Sequence, residues 1–345
     1  MAEILVTGGA GFFGGILKRR LLSEGYQCVS IDLQSDDDRH PSLTSIQGDI
    51  RDHAAIEQLF ARHQIASVFH CAAILAHAKH AESFLWSSNV EGTRVVADAA
   101  RQHHVERIVF TSSNCLWGQS FGHPVSEDQP PDPVELYGRS KLEGERVLQE
   151  YAASLVVITV RCPTIIDSGR LGLLAILYEF IDENRKVWTV GGGENRYQFI
   201  YAQDLAEACI RMLGYQRSDV FNIGSDDVKP MCDIYQYVID HAGSRSRVSS
   251  LPKAPAILAM KLAYHLGVSP LGPYHYKMIA EDFLFDTAHI KQSLGWSPTM
   301  TNEQMLLKSY EYYHSNRDAI GARQNVSDHR KPADMGIIRL LKWIS

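Results

Sequence analysis

The sequence lacks an apolar run approaching the roughly 20 residues that a membrane-spanning helix requires, so no spanning segment is expected. It lacks any CxxC pair: its six cysteines, Cys28, Cys71, Cys115, Cys162, Cys209 and Cys232, are scattered. That pattern fits a reducing, cytoplasmic setting, and the first residues run into a strand rather than a signal peptide. Positive charge is not in excess either. With 34 Lys and Arg against 40 Asp and Glu the net charge is -6, and no basic patch stands out, so nucleic acid is set aside as a partner. Internal repeats and low-complexity tracts are absent.

What is present is ordinary for a folded domain. Hydrophobic residues make up 45% and charged residues 21% of 345 residues, enough chain for one large domain or two interleaved ones. In the first half, apolar runs near Ile4-Val6, Cys28-Ile31, Ser67-His70, Arg107-Thr111 and Val156-Val160 read as strands. They alternate with helical stretches at Ile16-Ser23, Ile56-Arg62, Val90-Arg101 and Ser140-Tyr151, the pattern of a doubly wound parallel sheet. After Arg161 the pattern loosens. An apolar stretch Leu171-Ile181 precedes Gly191-Gly193, then Phe199-Ala202 leads into Asp204-Leu213, and Val220-Ile223 reads as a last strand. Leu251-Leu271, broken by Pro252, Pro255 and Pro270, reads as a substrate cap. Beyond a polar linker, Met335-Ser345 sets Ile337, Ile338, Leu341 and Ile344 on one helical face. Such a tail could lie in a headgroup layer or pack on protein.

Directly after the first strand stands Thr7-Gly8-Gly9-Ala10-Gly11-Phe12-Phe13-Gly14, with Gly8, Gly11 and Gly14 three apart. Missing side chains there let the chain turn tightly and bring backbone and helix N-terminus against a pyrophosphate. Asp32 follows at the end of the second strand. An acid at that place accepts ribose hydroxyls and repels a 2′-phosphate, which predicts NAD rather than NADP; nearby Arg39 is the residue that argues otherwise.

Tyr137 and Lys141 stand four apart, hence on one helix face. The ammonium is expected to favour phenolate, giving a base for an alcohol whose carbon loses hydride. Ser113, at the end of the Arg107-Thr111 strand, can hydrogen-bond the same oxygen.

Together with Gly48-Asp49-Ile50, His70-Cys71-Ala72-Ala73, Asn89-Val90-Glu91-Gly92-Thr93 and Thr111 to Gly118, these motifs resemble the extended short-chain dehydrogenase/reductase family over residues 4 to about 320. The resemblance implies a Rossmann-type α/β sheet over 1–163, also receiving about 197–225. A smaller interleaved substrate-binding subdomain would comprise 164–196 and 226–320, with 321–345 as linker and tail. It implies catalysis by Ser113, Tyr137 and Lys141. Cofactor contacts are implied for Gly8, Gly11, Phe12, Phe13, Gly14 and Asp32, for Asp49 and Ile50 beside the adenine, and for Ala72 along the cofactor's path. Further contacts are implied for Cys71, Ala73, Asn89, Thr111, Tyr137, Lys141 and Pro163. A homodimer through the helices near Val90-Arg101 and Ser140-Tyr151 is implied too.

Sugar-nucleotide dehydratases of the family carry an Asp-Glu pair after the serine. Asn114 and Cys115 stand here, so dehydration is not expected. The segments Leu116-Trp117-Gly118 and Ser126-Glu127-Asp128 to Gly144-Glu145 look like those of sugar epimerases, which implies a 4-epimerase working through a transient ketone. Leu251-Leu271 and the run Glu281 to Pro298 are similar to the 3β-hydroxysteroid dehydrogenase branch, so a net dehydrogenase of a lipid hydroxyl stays open, as does a non-enzymatic NAD-binding protein. The usual arginine-glycine-aspartate signature is replaced by Pro273-Tyr274-His275-Tyr276-Lys277, and Arg161 is followed by Cys162-Pro163-Thr164. The carrier is thus open between a nucleotide and a polyprenyl diphosphate. Asn114 is expected to contact substrate, as is Arg196, chosen from Arg170, Arg196, Arg217, Arg245 and Arg247 as diphosphate anchor. Cys115 is either an acid/base group, as in GDP-fucose synthases, or a small filler. His77 and His80 with Glu82 lack zinc-site spacing, so no metal is expected.

Overall fold

The computed structural model describes residues 2–75, 81–266 and 278–321. The His77/His80 pair, the stretch from Pro273 to Lys277 and the amphipathic tail lie outside the described residues. Eleven strands are described in chain order: β1 (Glu3–Thr7), β2 (Gln27–Asp32), β3 (Leu43–Gln47), β4 (Ile65–His70), β5 (Arg107–Ser113), β6 (Val156–Cys162), β7 (Thr164–Ile166), β8 (Val187–Val190), β9 (Phe199–Tyr201), β10 (Asp219–Asn222) and β11 (Val248–Leu251). Seven of them form one sheet in the order β3-β2-β1-β4-β5-β6-β10, with every pairing parallel. The order reverses between β1 and β4. A crevice opens at the carboxyl ends of strands at such a switch point, which is where a doubly wound sheet takes its ligand.

Alternation within the strands builds a core on each face of the sheet. Leu5, Val68 and Ile108 pack one way with Ile56 of α2 (His53–Arg62), Val96 of α4 (Gly92–Gln102) and Leu148 of α5 (Leu136–Gln149); the short α3 (Glu82–Trp86) precedes α4. Val6, Phe69, Val109 and Ile158 pack the other way with Leu17 and Leu21 of α1 (Phe12–Ser23) and Leu205 of the helix Ala202–Met212. Strands buried on both faces explain the near-continuous apolar runs of the sequence. A third core joins Tyr178 and Ile181 of α6 (Leu174–Asp182), Ile234 and Val238 of the helix Met231–His241, and Met305 and Leu306 of the helix Asn302–Ser315.

The five expected strands and the later Val220-Ile223 strand are present, within a few residues of their expected ends. β3 was not foreseen, because an exposed edge strand reading Leu-Thr-Ser-Ile-Gln has no continuous apolar face. All four expected helices start elsewhere than periodicity indicates, α1 at Phe12 and α2 at His53 being earlier by four and three residues. α4 begins at Gly92 after a π-helical turn Ser87–Glu91, and α5 begins at Leu136, which brings Tyr137 into its first turn.

Candidate active site

The glycine turn closes on itself at the end of β1. Gly8 has φ +71°, and Gly11 donates its N–H to the Gly8 carbonyl at 3.0 Å. A Cβ on Gly14 would lie 2.2 Å from that carbonyl oxygen, so only glycine allows α1 to approach the turn. Gly11 caps α1 with no side chain bonded to the first-turn N–H groups, which leaves a helix N-terminus at the crevice. Phe12 and Phe13 are buried behind it.

Asp32 ends β2 beside this turn and accepts N–H groups of Ala10 (3.1 Å) and Gln34 (2.9 Å). Burial pushes its carboxyl up, against the backbone hydrogen bonds from Gln34, Ala10 and Gly11. Arg39 does not face it as a phosphate ligand: its guanidinium donates to the Asp36 and Asp38 carbonyls at 2.8 and 3.0 Å. The fully buried ammonium of Lys18 is paired with the Asp36 and Asp38 carboxylates. The adenosine-side wall is therefore acidic, and a cradle that a Cβ would fill leads to it. These residues fit NAD.

Asp49 is engaged by Arg51, whose hydrogen bonds hold its carboxyl below the usual range, while Ile50 is buried. Cys71, Ala72 and Ala73 follow β4 at the switch point, where a Cβ on Gly8 would lie 2.8 Å from the Ala72 Cα. Asn89 is buried and clasps this segment: its Oδ1 accepts the Ile74 N–H at 2.7 Å, and its Nδ2 donates to the Ile74 carbonyl and to Ser140 Oγ, both at 3.0 Å. The asparagine thus fixes the backbone of the segment that follows β4. Thr111 Oγ1 is 3.5 Å from Cys71 Sγ. Pro163 is buried just past β6.

Ser113 ends β5, and its Oγ accepts the Cys115 N–H at 3.1 Å. Gly138 lets α5 settle on this segment, since a Cβ there would lie 2.2 Å from the Cys115 carbonyl oxygen. That contact carries Tyr137 to Ser113, with which it shares a side-chain hydrogen bond. One helical turn on, Lys141 is buried with its ammonium 4.1 Å from the centroid of the Phe110 ring.

Phenolate is expected from the neighbouring ammonium with help from the positive ring of a bound nicotinamide; burial in the protein opposes it. Burial pushes the Tyr137 phenol up, and the thiols of Cys115 and Cys162 push the same way against Arg170 and the Ser113 hydrogen bond. Burial also brings the Lys141 ammonium down to about 8, opposed by Cys71, Cys162 and Glu145. Spacing placed both groups on one face; desolvation, which spacing does not reveal, disfavours charge on each.

Two residues expected to contact substrate are held as follows. Asn114 is buried and donates from Nδ2 to Tyr197 Oη at 2.5 Å, within an aromatic group formed with Phe283, Phe285 and Trp117. Arg196 is exposed, its backbone paired to Asp282 and Phe283. Successive side chains of an extended segment point to opposite sides, so Tyr197 turns toward Asn114 while Arg196 turns away. Arg170 is the arginine that acts on Tyr137, with its guanidinium carbon 5.8 Å from the Phe12 ring centroid. Glu145, noted in the sequence only as part of an epimerase-like segment and given no role, is i+4 from Lys141 on the same α5 face and pairs with Arg161 at 2.8 Å and Ser112 at 2.5 Å. The i+4 spacing was the signal that could have found it. Among the described residues no cluster of metal-ligating side chains occurs, and no helix is long and apolar enough to cross a membrane.

Comparison with known proteins agrees with this geometry. The model of the NAD dependent epimerase/dehydratase family matches residues 4–224. An uncharacterised protein, y4nG, of Sinorhizobium fredii is 37% identical over 341 residues, covering 98% of this chain and 85% of its own. A UDP-glucose 4-epimerase of Corynebacterium glutamicum is 24% identical over 94% of this chain and 98% of its own. Among solved structures, the UDP-glucose 4-epimerase of Thermotoga maritima superposes with a TM-score of 0.76 at 22% identity, covering 91% of this chain and 99% of that one. The Bordetella bronchiseptica enzyme WbmG, in complex with NAD, superposes with a TM-score of 0.74 at 21% identity, covering 91% and 94%. The chain belongs to the NAD-dependent epimerase/dehydratase family and is an NAD-dependent enzyme of the extended short-chain dehydrogenase/reductase type.

Proposed function

We propose that the protein is a 4-epimerase of a sugar carried on a diphosphate, either a nucleotide or a polyprenyl diphosphate. The observation that carries this reading is the convergence of Ser113, Tyr137 and Lys141 at a site where Asn114 and Cys115 replace acids. No carboxyl stands directly after Ser113 to protonate a leaving hydroxyl, so oxidation at the sugar carbon is not followed by elimination. Relatives named as UDP-glucose 4-epimerases support the same class.

In this reading Ser113 hydrogen-bonds the reacting sugar oxygen and Tyr137 takes its proton. When bound, NAD would supply the acceptor that takes up the hydride and later returns it to the other face of the turned ketone, and a positive ring charge beside the phenol. Lys141 adds a second positive charge near pH 7, because its displaced value of about 8 still leaves it mainly protonated. Return of the proton from Tyr137 after the ketone has turned restores the residue for the next cycle. Cys115 serves as the small filler that lets the Ser113 turn close on α5. Residues 1–163 with about 197–225 hold the cofactor, and 164–196 with 226–320 hold the sugar and its diphosphate. Arg170 is the cation at the reacting end. A cytoplasmic homodimer through α4 and α5 completes the reading.

The test starts with mass spectrometry of ligands retained by the purified protein. Proton NMR then follows candidate nucleotide and polyprenyl-diphosphate sugars. Conversion between 4-epimers with NAD retained is expected. Stoichiometric release of NADH with substrate would replace the epimerase by a net dehydrogenase.

A further inference from the structure

The helix α9 (Lys253–His265), which follows the helices Ala202–Met212 (α7) and Met231–His241 (α8), is apolar on two opposite faces. On one face Ala263 is buried, with Ala256, Ile257 and Met260 half-buried. The other shows Leu258, Leu262 and Leu266 at 69%, 60% and 67% exposure. These three are four apart, so they form one stripe along the helix. A single exposed leucine needs no explanation, but a contiguous stripe marks a surface that is covered in use.

Charge identifies what covers it. The chain as a whole carries -6, yet no Asp or Glu occurs from His241 to Ala280. Arg245, Arg247, Lys253 and Lys261 are exposed in that span, and none forms an ion pair among the described residues. Lys261 and His265 border the leucine stripe on α9. An apolar stripe flanked by uncompensated cations is complementary to a layer with an apolar interior and a negative surface. A second copy of the chain fits less well, because a two-fold contact through this stripe sets Lys261 of one copy near that of the other.

We propose that α9 docks the protein on anionic lipid, with Leu258, Leu262 and Leu266 in the headgroup layer. The proposal stands apart from the epimerase reading, since vesicle binding is measured without turnover.

The experiment is co-sedimentation of the full-length holoenzyme with vesicles of phosphatidylcholine mixed with phosphatidylglycerol, and with phosphatidylcholine alone. The wild type is expected to sediment with the mixed vesicles, less at high salt, and little with the neutral ones. Leu258→Glu/Leu262→Glu should lower the bound-to-free ratio about tenfold or more while melting temperature and retained NAD stay unchanged. Lys253→Gln/Lys261→Gln should weaken binding to the mixed vesicles alone. Wild-type protein left in the supernatant overturns the proposal, as does a leucine variant that binds as well as wild type. A concentration-dependent dimer that the leucine variant abolishes, without vesicle binding, assigns the stripe to a second copy instead.

Discussion

The Lys141 ammonium lies 4.1 Å from the centroid of the Phe110 ring, and the same ring stacks on His70 at 5.5 Å. A buried cation is thus held by an aromatic face on β5, the strand that ends at Ser113, two strands from the glycine turn. The ring face offsets part of the desolvation that brings Lys141 down to about 8. Phe110→Leu removes that support. The alkaline limb of the pH–rate profile should move to lower pH by about half a unit, as a cation–π contact of roughly 0.5–1 kcal/mol implies. An unmoved limb with normal folding would show that the ring does not hold the charge.

Tyr137→Phe removes the group that takes the substrate proton and leaves the glycine turn and Asp32 untouched. Turnover should fall by about 10³-fold or more while NAD binding, followed by fluorescence quenching, stays within about twofold of wild type. Near-normal turnover in this variant would end the assignment of Tyr137 as the base.

Gly14→Ala tests the cradle. Its added methyl would stand 2.2 Å from the Gly8 carbonyl oxygen, and neither backbone can yield without moving α1 from β1. NAD affinity should drop by at least about tenfold, read by calorimetry. Retained affinity would mean that the turn opens at little cost.

His70 is fully buried, with Nδ1 2.7 Å from Thr7 Oγ1 and Nε2 2.9 Å from Thr93 Oγ1. Burial, helped by the Lys141 charge, brings it down from 6.5 to about 3. Between those values the unfolded chain binds a proton that the folded one refuses. The His70 contribution to stability is therefore complete above pH 6.5 and is lost as pH falls toward 3, with a slope of at most about 1.4 kcal/mol per pH unit. Urea titrations of His70→Gln between pH 7 and 4 should show a shallower acid loss than wild type, from a lower starting stability. Parallel curves would show that His70 takes up its proton in the folded state.

The glycine turn, Asp32, the parallel strands of the first half and the Tyr137/Lys141 pair were legible in the sequence, because each rests on a local pattern. Three-residue glycine spacing fixes a turn and a helix start, continuous apolar runs fix strands buried on both faces, and a separation of four fixes a shared helix face. Burial and long-range partners were not legible. Asn114 meets Tyr197 across 83 positions of chain, and Arg170, not Arg196, reaches the Tyr137 environment. Whether the phenol or the ammonium keeps its charge depends on how much water the assembled cleft excludes. Whether three leucines on α9 face protein or solvent depends likewise on which elements pack there. Spacing along a chain determines which side chains share a face; only the folded molecule decides what that face meets, and hence its dielectric, its charge and its use.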